Sequence, residues 1–374
     1  MEDEDCNCKN CPECRGVAYD QFSRKQENGR PIWQPIEMGK NIVCDGHLAE
    51  KDIAVYSHFH TDHAWNLSRS LSNSTIIMTQ VTYDALKILL NLPERSRSNF
   101  EILRYGRDYV TPYEEKVELI NANHIPGSAQ VLVTQKETDY RVLYSGDFAY
   151  PGITVPKTDC LILDPTHGEE IFDFEQNRKE MMERTFEDVL RSIENNHPVE
   201  IVAHRGTAQE FMHLFEQSIK GRFIPEMVKF FTKDKLEKEL SEVLLNHLPE
   251  TKNPHEIHVA SDFELNELYS RKQPYIYFSR PELRPIQQDR HDTFYIDAWN
   301  GFKSAGNYVK VNEKFTRVNY QAHSGFGQIL KYVKDSEAKE VIVDGSRGNG
   351  DTALRLANAI SQLGIKCYVS TCKS

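Results

Sequence analysis

SHFHTDH, residues 57–63, brings three histidines, His58, His60 and His63, together with the carboxylate of Asp62 in one short run. The run follows directly on the apolar stretch IAVY at 53–56, which reads as a strand. A metal ion needs several neutral imidazoles and a carboxylate aimed at one point. A strand end that breaks into a tight loop supplies such convergence. A surface cluster of polar residues is the plain alternative, and the H-x-H-x-D-H spacing makes it a poor account of this run.

Outward from this run, short apolar stretches alternate with turn signals. Strands are expected at 41–44, 53–56, 75–79, 116–120, 130–134, 141–144 and 160–163. Residues 81–90 repeat apolar side chains (Val81, Ala85, Leu86, Leu89) at helical spacing and predict a helix. The character then changes. Helices are expected at 175–196, 207–220 and 233–248, with strands at 200–203, 257–260 and 275–278. Strand–helix alternation returns at 315–320, 326–334, 341–343, 351–363 and 367–370, with Asp351 as the expected cap of the last helix and Gly364 as its stop. The pattern implies a mixed α/β domain of packed layers, with the middle third as an inserted second domain.

The bulk numbers bound the function. The 374 residues are 39% hydrophobic and 27% charged, a globular composition. No apolar run is long enough to span a bilayer. The acidic start, MEDEDCNCKNCPEC, is not a signal peptide. These features predict an intracellular, cytoplasmic protein without a membrane partner. A net charge of −11 speaks weakly against a nucleic-acid substrate, because a locally basic groove is compatible with it. Cys6, Cys8, Cys11 and Cys14 cluster in residues 1–15. In a reducing compartment they read either as four thiolates for a structural zinc or as part of an unstructured tail.

At SHFHTDH the sequence resembles the metallo-β-lactamase superfamily, and further motifs follow in that family's order. They are Asp45 in IVCDG, His124 in NANHIPGSAQ and Asp147 in LYSGDF. HIPGSAQ, YSGDF and LILDPTHG narrow the resemblance to the β-CASP branch, a group of nucleases, with Asp164 where that branch places an acidic residue after a strand. IVAHRGTAQE at 201–210 resembles the branch's inserted cap, and NYQAHSGFGQILKYV its later histidine motif, here His323. Asp164-x-Thr166 and His323-Ser324-x-Phe326 look most like the Artemis-like DNA-repair nucleases. One departure stands out. The RNA-cutting relatives carry a second late metal-holding histidine, and VIVDGSRG has none; Asp344 or Gly345 takes its place.

The resemblance implies an α/β fold, the metallo-β-lactamase αββα sandwich, over 16–170 and 305–374, with a β-CASP-like α/β cap inserted at 171–304. It implies two Zn²⁺ ions. His58, His60 and His124 would hold the first. Asp62, His63 and Asp344 would hold the second, with Asp147 bridging. Asp62 would also orient the attacking hydroxide. His323 would act as general acid, with Asp164 accepting its other N–H.

Other residues invite weaker readings. GSRGNG at 345–350 is either a phosphate cradle, with Arg347 as a substrate contact, or an ordinary glycine-rich turn. His167 and His204 lie beside the family motifs. Arg178, Lys179, Arg184, Lys229, Lys233, Lys235, Arg280, Arg284 and Arg290 make either a solvated face or a track for phosphates. Tyr277 and Phe278 read as strand core or as a stacking platform for bases.

The expected function is zinc-dependent hydrolysis of phosphodiester bonds in DNA or RNA. DNA is favoured by the Artemis-like details, and exonucleolytic and endonucleolytic attack are both left open. A small-ester or lactone hydrolase of the same fold is the alternative, needing the same metals but no cap with GTAQE and no His323. A non-catalytic nucleic-acid-binding subunit conflicts with the intact set of metal-ligating residues.

Overall fold

Period-two alternation decides how the first part of the chain is layered. The computed structural model describes residues 33–173, 178–250, 254–281, 290–297, 306–320, 322–347 and 350–370. The cysteines Cys6, Cys8, Cys11 and Cys14 lie outside them, as does Arg284. Contacts divide the chain into two compact units. One runs up to Leu86, then Leu92–Asp173 and from His323 on; the other holds Lys87–Asn91 and Phe174–Ala322.

In the first unit, β1 (Ile36–Glu37), β2 (Ile42–Cys44), β3 (Ile53–Val55), β4 (Thr75–Met78) and β5 (Phe100–Ile102) lie in that order in one sheet. A second sheet runs β19 (Lys366–Val369), β18 (Glu340–Val343), β10 (Cys160–Leu163), β9 (Arg141–Tyr144), β8 (Ala129–Thr134), β7 (Lys116–Asn121), β6 (Asp108–Val110). It is parallel from β19 to β9 and antiparallel from β9 to β6.

Val131 and Val133, Val142 and Tyr144, and Cys160 and Ile162 pack with Ile42, Cys44, Ile53, Val55 and Ile77 of the other sheet. The alternate residues Leu132, Leu143, Leu161 and Leu163 pack instead with Phe326, Ile329, Tyr332 and Val333 of α7 (Phe326–Asp335) and Leu356 and Ile360 of α8 (Gly350–Gln362). Two short helices, α1 (Leu67–Ser70) and α2 (Gln80–Leu89), follow β3 and β4. The result is the αββα sandwich. Each fully buried aliphatic side chain is worth about 1.5–3 kcal/mol. A one-residue slip would turn every strand's buried set over, so the register is strongly fixed.

Two features close this unit on itself. Gly327 N–H donates to Asp173 Oδ1 at 2.9 Å, and Ser324 N–H donates to the carbonyl of Phe148 at 2.8 Å. The last helix begins at Gly350, so Asp351 sits inside its first turn rather than at the cap. Gly364, at φ +79°, ends it as expected.

The second unit is a seven-stranded sheet in the order β13 (Ile257–Val259), β12 (Lys229–Thr232), β14 (Tyr275–Ser279), β11 (Val199–Ala203), β15 (Asp292–Asp297), β17 (Phe315–Asn319), β16 (Tyr308–Lys310). Only the β16–β17 pair is antiparallel. The sheet thus carries this unit past residue 304, to Asn319. Phe186 and Val189 of α3 (Arg178–Glu194) and Phe211 and Phe215 of α4 (Thr207–Phe215) pack on Phe230, Phe278, Phe294 and Val318. Asp234 caps α5 (Lys235–Asn246) and Ser261 caps α6 (Asp262–Ser270), each accepting a backbone N–H three residues on.

Tyr277 and Phe278 are buried in this sheet, which removes them as a stacking platform. The GTAQE run is also accounted for inside the unit. Gly206, at φ +89°, donates its N–H to Gln209 Oε1 at 2.7 Å. Gln209 Nε2 in turn donates to Ser241. Glu210 accepts from Arg178 at 3.0 Å and from the Tyr320 hydroxyl at 2.7 Å. Several of this unit's basic residues likewise have acidic neighbours, including Lys229 with Glu264, Lys235 with Glu239 and Arg280 with Glu237.

Candidate metal centre

The site assembles at strand ends of the first unit. After β3 the chain turns sharply, with His63 and Ala64 both donating N–H to the carbonyl of His60. This helical turn gathers His58, His60 and His63. Between β7 and β8 the His124 loop folds on Ser128, whose Oγ accepts N–H from His124 and Ile125 at 3.1 and 3.2 Å. The loop requires Gly127. Its φ is +84°, and a Cβ there would sit 2.6 Å from Val81 Cβ. Gly127→Ala should therefore cost about 1–3 kcal/mol, read as a lowered urea midpoint with an unchanged slope. Unaltered stability would show that the loop adapts. Asp147 follows β9, and His323 stands just before the Ser324 anchor to Phe148.

One carboxylate orients two of the histidines. Asp45, fully buried, accepts from Ser57 N–H (2.7 Å), Ser57 Oγ (2.7 Å) and the Tyr144 hydroxyl (3.0 Å), and its Oδ2 lies 2.7 Å from His63 Nδ1. Ser57 Oγ is also 3.0 Å from His58 Nδ1. The Nδ1 atoms are thus engaged at the back, leaving the two Nε2 atoms for the front. Carboxylate–histidine pairs of this kind fix tautomer and ring orientation in metal sites.

At the front, Asp147 presents one oxygen to each of two groups. Its Oδ2 lies 3.5 Å from His58 Nε2 and 3.4 Å from His124 Nε2, while Oδ1 lies 3.4 Å from His63 Nε2. His60 Nδ1 is 3.2 Å from His124 Nε2. Two sets of side chains converge closely enough to hold a cation: His58, His60, His124 and Asp147, and His63, Asp147 and Asp164. Buried atoms of both sets, His58 Nε2, His63 Nε2, Asp147 Oδ1 and Asp164 Oδ2, have no hydrogen-bond partner. Buried polar atoms are rarely left so. Four orphans aimed together, all nitrogen or carboxylate oxygen, fit a divalent metal such as zinc.

The charges interlock. Burial, then the neighbouring imidazoles of His63 and His60, pushes His58 well below the ordinary histidine range. Burial opposes ionisation of Asp147, but His63, His323 and His124 outweigh it and hold this carboxyl well below its usual range. His63 is raised well above its usual value: burial lowers it, and Asp147 and Asp62 more than compensate. Burial and then the charge of Asp147 push Asp164 up to about 7.

The other expected site residues take these places. Asp62 is outside both sets, with a side chain 38% exposed and 3.4 Å from His63 Nε2. Asp164 enters the second set instead. Asp164 accepts no N–H hydrogen bond from His323, because its Oδ1 accepts from Thr166 and its Oδ2 has no hydrogen-bond partner. Asp344 is not a member of either set, since Arg347 Nη1 donates to its Oδ2 at 2.8 Å. Arg347 is no surface contact for substrate: its side chain is only 2% exposed. His323 Nδ1 lies 3.9 Å from Asp147 Oδ2, and its ring leans on His124 with centroids 4.4 Å apart. His167 is buried, stacked on Phe172 and edge-on to His323. Burial and then His323 push it down to about 3. His204 lies in the second unit, half-exposed near Asp297.

No family model matches the chain. An uncharacterised protein encoded in the lig 3′ region of Acidianus ambivalens is 36% identical over 114 residues, covering 30% of this chain and 79% of that protein. An RNase J-like protein of Methanocaldococcus jannaschii is 23% identical over 351 residues, covering 79% of this chain and 82% of the relative. The chain belongs to the β-CASP branch of the metallo-β-lactamase fold.

The likeness of this β-CASP chain to Artemis-like nucleases is partial. It is carried by 5′ exonuclease Apollo of Gallus gallus, 31% identical over 118 residues, which are 30% of this chain and 24% of Apollo. Among the described residues of the β-CASP chain, no helix is long and apolar enough to cross a membrane.

Proposed function

We propose that this β-CASP chain is a metal-dependent nuclease that hydrolyses phosphodiester bonds, with DNA as the preferred nucleic acid. The observation that carries this reading is the sharing of Asp147 between two converging ligand sets, in which His58 Nε2, His63 Nε2, Asp147 Oδ1 and Asp164 Oδ2 are buried without a hydrogen-bond partner. The names of the RNase J-like relative and of Apollo support the same chemistry. The preference for DNA rests on Asp164-x-Thr166, on His323-Ser324 and on the missing late histidine.

His58, His60, His124 and Asp147 would hold zinc. A bound zinc ion lowers the pKa of water to about 7 and polarises a phosphoryl oxygen. The chain's own residues supply the rest. Asp62, at the rim beside His63, accepts the proton of the attacking water and orients it. Asp45 and Ser57 keep the imidazoles of His58 and His63 turned to the front. His323, part-exposed and held against His124, delivers a proton to the leaving alkoxide.

The test is cleavage of 5′-labelled and 3′-labelled single-stranded DNA and RNA by the zinc-loaded protein, beside an EDTA-treated sample and Asp147→Ala. Cleavage of DNA above RNA, abolished in both controls, is the expected result. Faster cleavage of RNA would reverse the substrate preference. No cleavage of either by folded, zinc-loaded protein would overturn the nuclease reading and return a small ester or lactone as the substrate.

A further inference from the structure

Arg347 is buried directly beneath the metal-ligating loop. Its Nη1 donates to Asp344 Oδ2 at 2.8 Å, and its Nη2 reaches the backbone carbonyls of Asp62 at 3.3 Å and Asp45 at 3.4 Å. Its Nε has no hydrogen-bond partner and lies 3.9 Å from Asp164 Oδ2, which has none either. A guanidinium is always charged and cannot shed its proton to ease burial. This one therefore brings a permanent positive charge to the side of the centre where Asp164 stands, and it occupies the other nearby carboxylate, Asp344.

We propose that Arg347 is a built-in counter-ion that takes the place of a second metal ion, so that the centre holds one divalent cation, in the set of His58, His60, His124 and Asp147. The inference rests on the metal-dependent reading above. The buried carboxylate of Asp344, and that of Asp164 whenever it is ionised, need a cation, since an uncompensated buried charge is strongly unfavourable. The guanidinium supplies it from within the chain. A second dication would have to compete with it for Asp164 and to settle beside a like charge. Without Arg347, both carboxylates would be open to an incoming ion.

The experiment is zinc stoichiometry and affinity, by elemental analysis after dialysis and by calorimetric titration with Zn²⁺ alone. It compares wild type, Arg347→Met and Arg347→Lys. The wild type should hold one zinc per chain. Arg347→Met should hold two, with affinity for the second raised at least about tenfold. Arg347→Lys, which keeps the charge, should stay nearer one. If Arg347→Met alone does not fold, the same reading is taken on Arg347→Met combined with Asp344→Asn, which removes both charges of the pair and still uncovers Asp164.

Two equal zinc sites in the wild type would overturn the proposal. So would a single zinc in a folded Arg347→Met, because the missing histidine alone would then explain the stoichiometry. No zinc in the wild type would instead remove the metal-dependent reading itself.

Discussion

His323→Ala is expected to lower kcat on a labelled oligonucleotide by about 10²–10⁴-fold, the usual worth of a positioned proton donor, while zinc per chain stays at the wild-type value. His323 is outside both converging ligand sets, yet its Nδ1 is 3.9 Å from Asp147 Oδ2 and its side chain is 23% exposed. That combination suits a group that meets substrate beside the metal without binding the metal. Its position is rigidly set. The next residue, Ser324, donates its N–H to the Phe148 carbonyl and accepts N–H from Tyr150. Leaving groups of differing acidity separate the roles. An activated nitrophenyl phosphodiester needs little protonation, so the variant should lose far less on it than on an oligonucleotide. Zinc content falling in step with the rate would make His323 a ligand and end the general-acid role.

Asp45→Ala should be the most damaging change away from the metal itself. It strips the acceptor from Ser57 N–H, Ser57 Oγ, Tyr144 OH and the back of His63 in a fully buried place. Losing one member of a buried charged network costs about 3–5 kcal/mol. Loss of the carboxylate behind a metal-binding histidine lowers metal affinity roughly 10–100-fold. Both should be visible, in a denaturant melt and in a zinc titration. Asp45→Asn keeps the shape and should recover part of the stability, but its amide cannot replace the carboxylate at both Ser57 and His63, so zinc affinity should stay low. Full zinc affinity in a folded Asn variant would show that the charge of Asp45 is dispensable and that its shape suffices.

The sequence made the framework legible where one face of a strand is buried against the other sheet. Val131, Val133, Val142 and Tyr144 alternate with Leu132 and Leu143, and period two is readable from one chain. The His58–His63 run was legible because its ligands are neighbours in sequence. Elements with little buried surface were missed. β6 exposes both of its ends, α6 buries only Leu265, and β16 is a partly exposed edge. They take their form from partners that no local pattern announces. The same holds inside the site. Arg347 meets Asp45 and Asp62 from nearly three hundred residues away, and Asp164 joins His63 only once β10 lies beside β9. The Asp344-x-x-Arg347 spacing was the only sequence trace of that buried pair.

The tie between Gly327 and Asp173 has a consequence for how this chain can change. The chain leaves the first unit after Asp173 and re-enters at His323, and a backbone N–H just past the re-entry holds the carboxylate at the exit. The doorway is thus latched by residues of the host fold itself. Closing a longer excursion adds only slowly to the entropic cost, by about 0.6 kcal/mol for each doubling in length. The intervening segment is accordingly free to lengthen, shorten or be exchanged over generations without unseating the histidine that follows it.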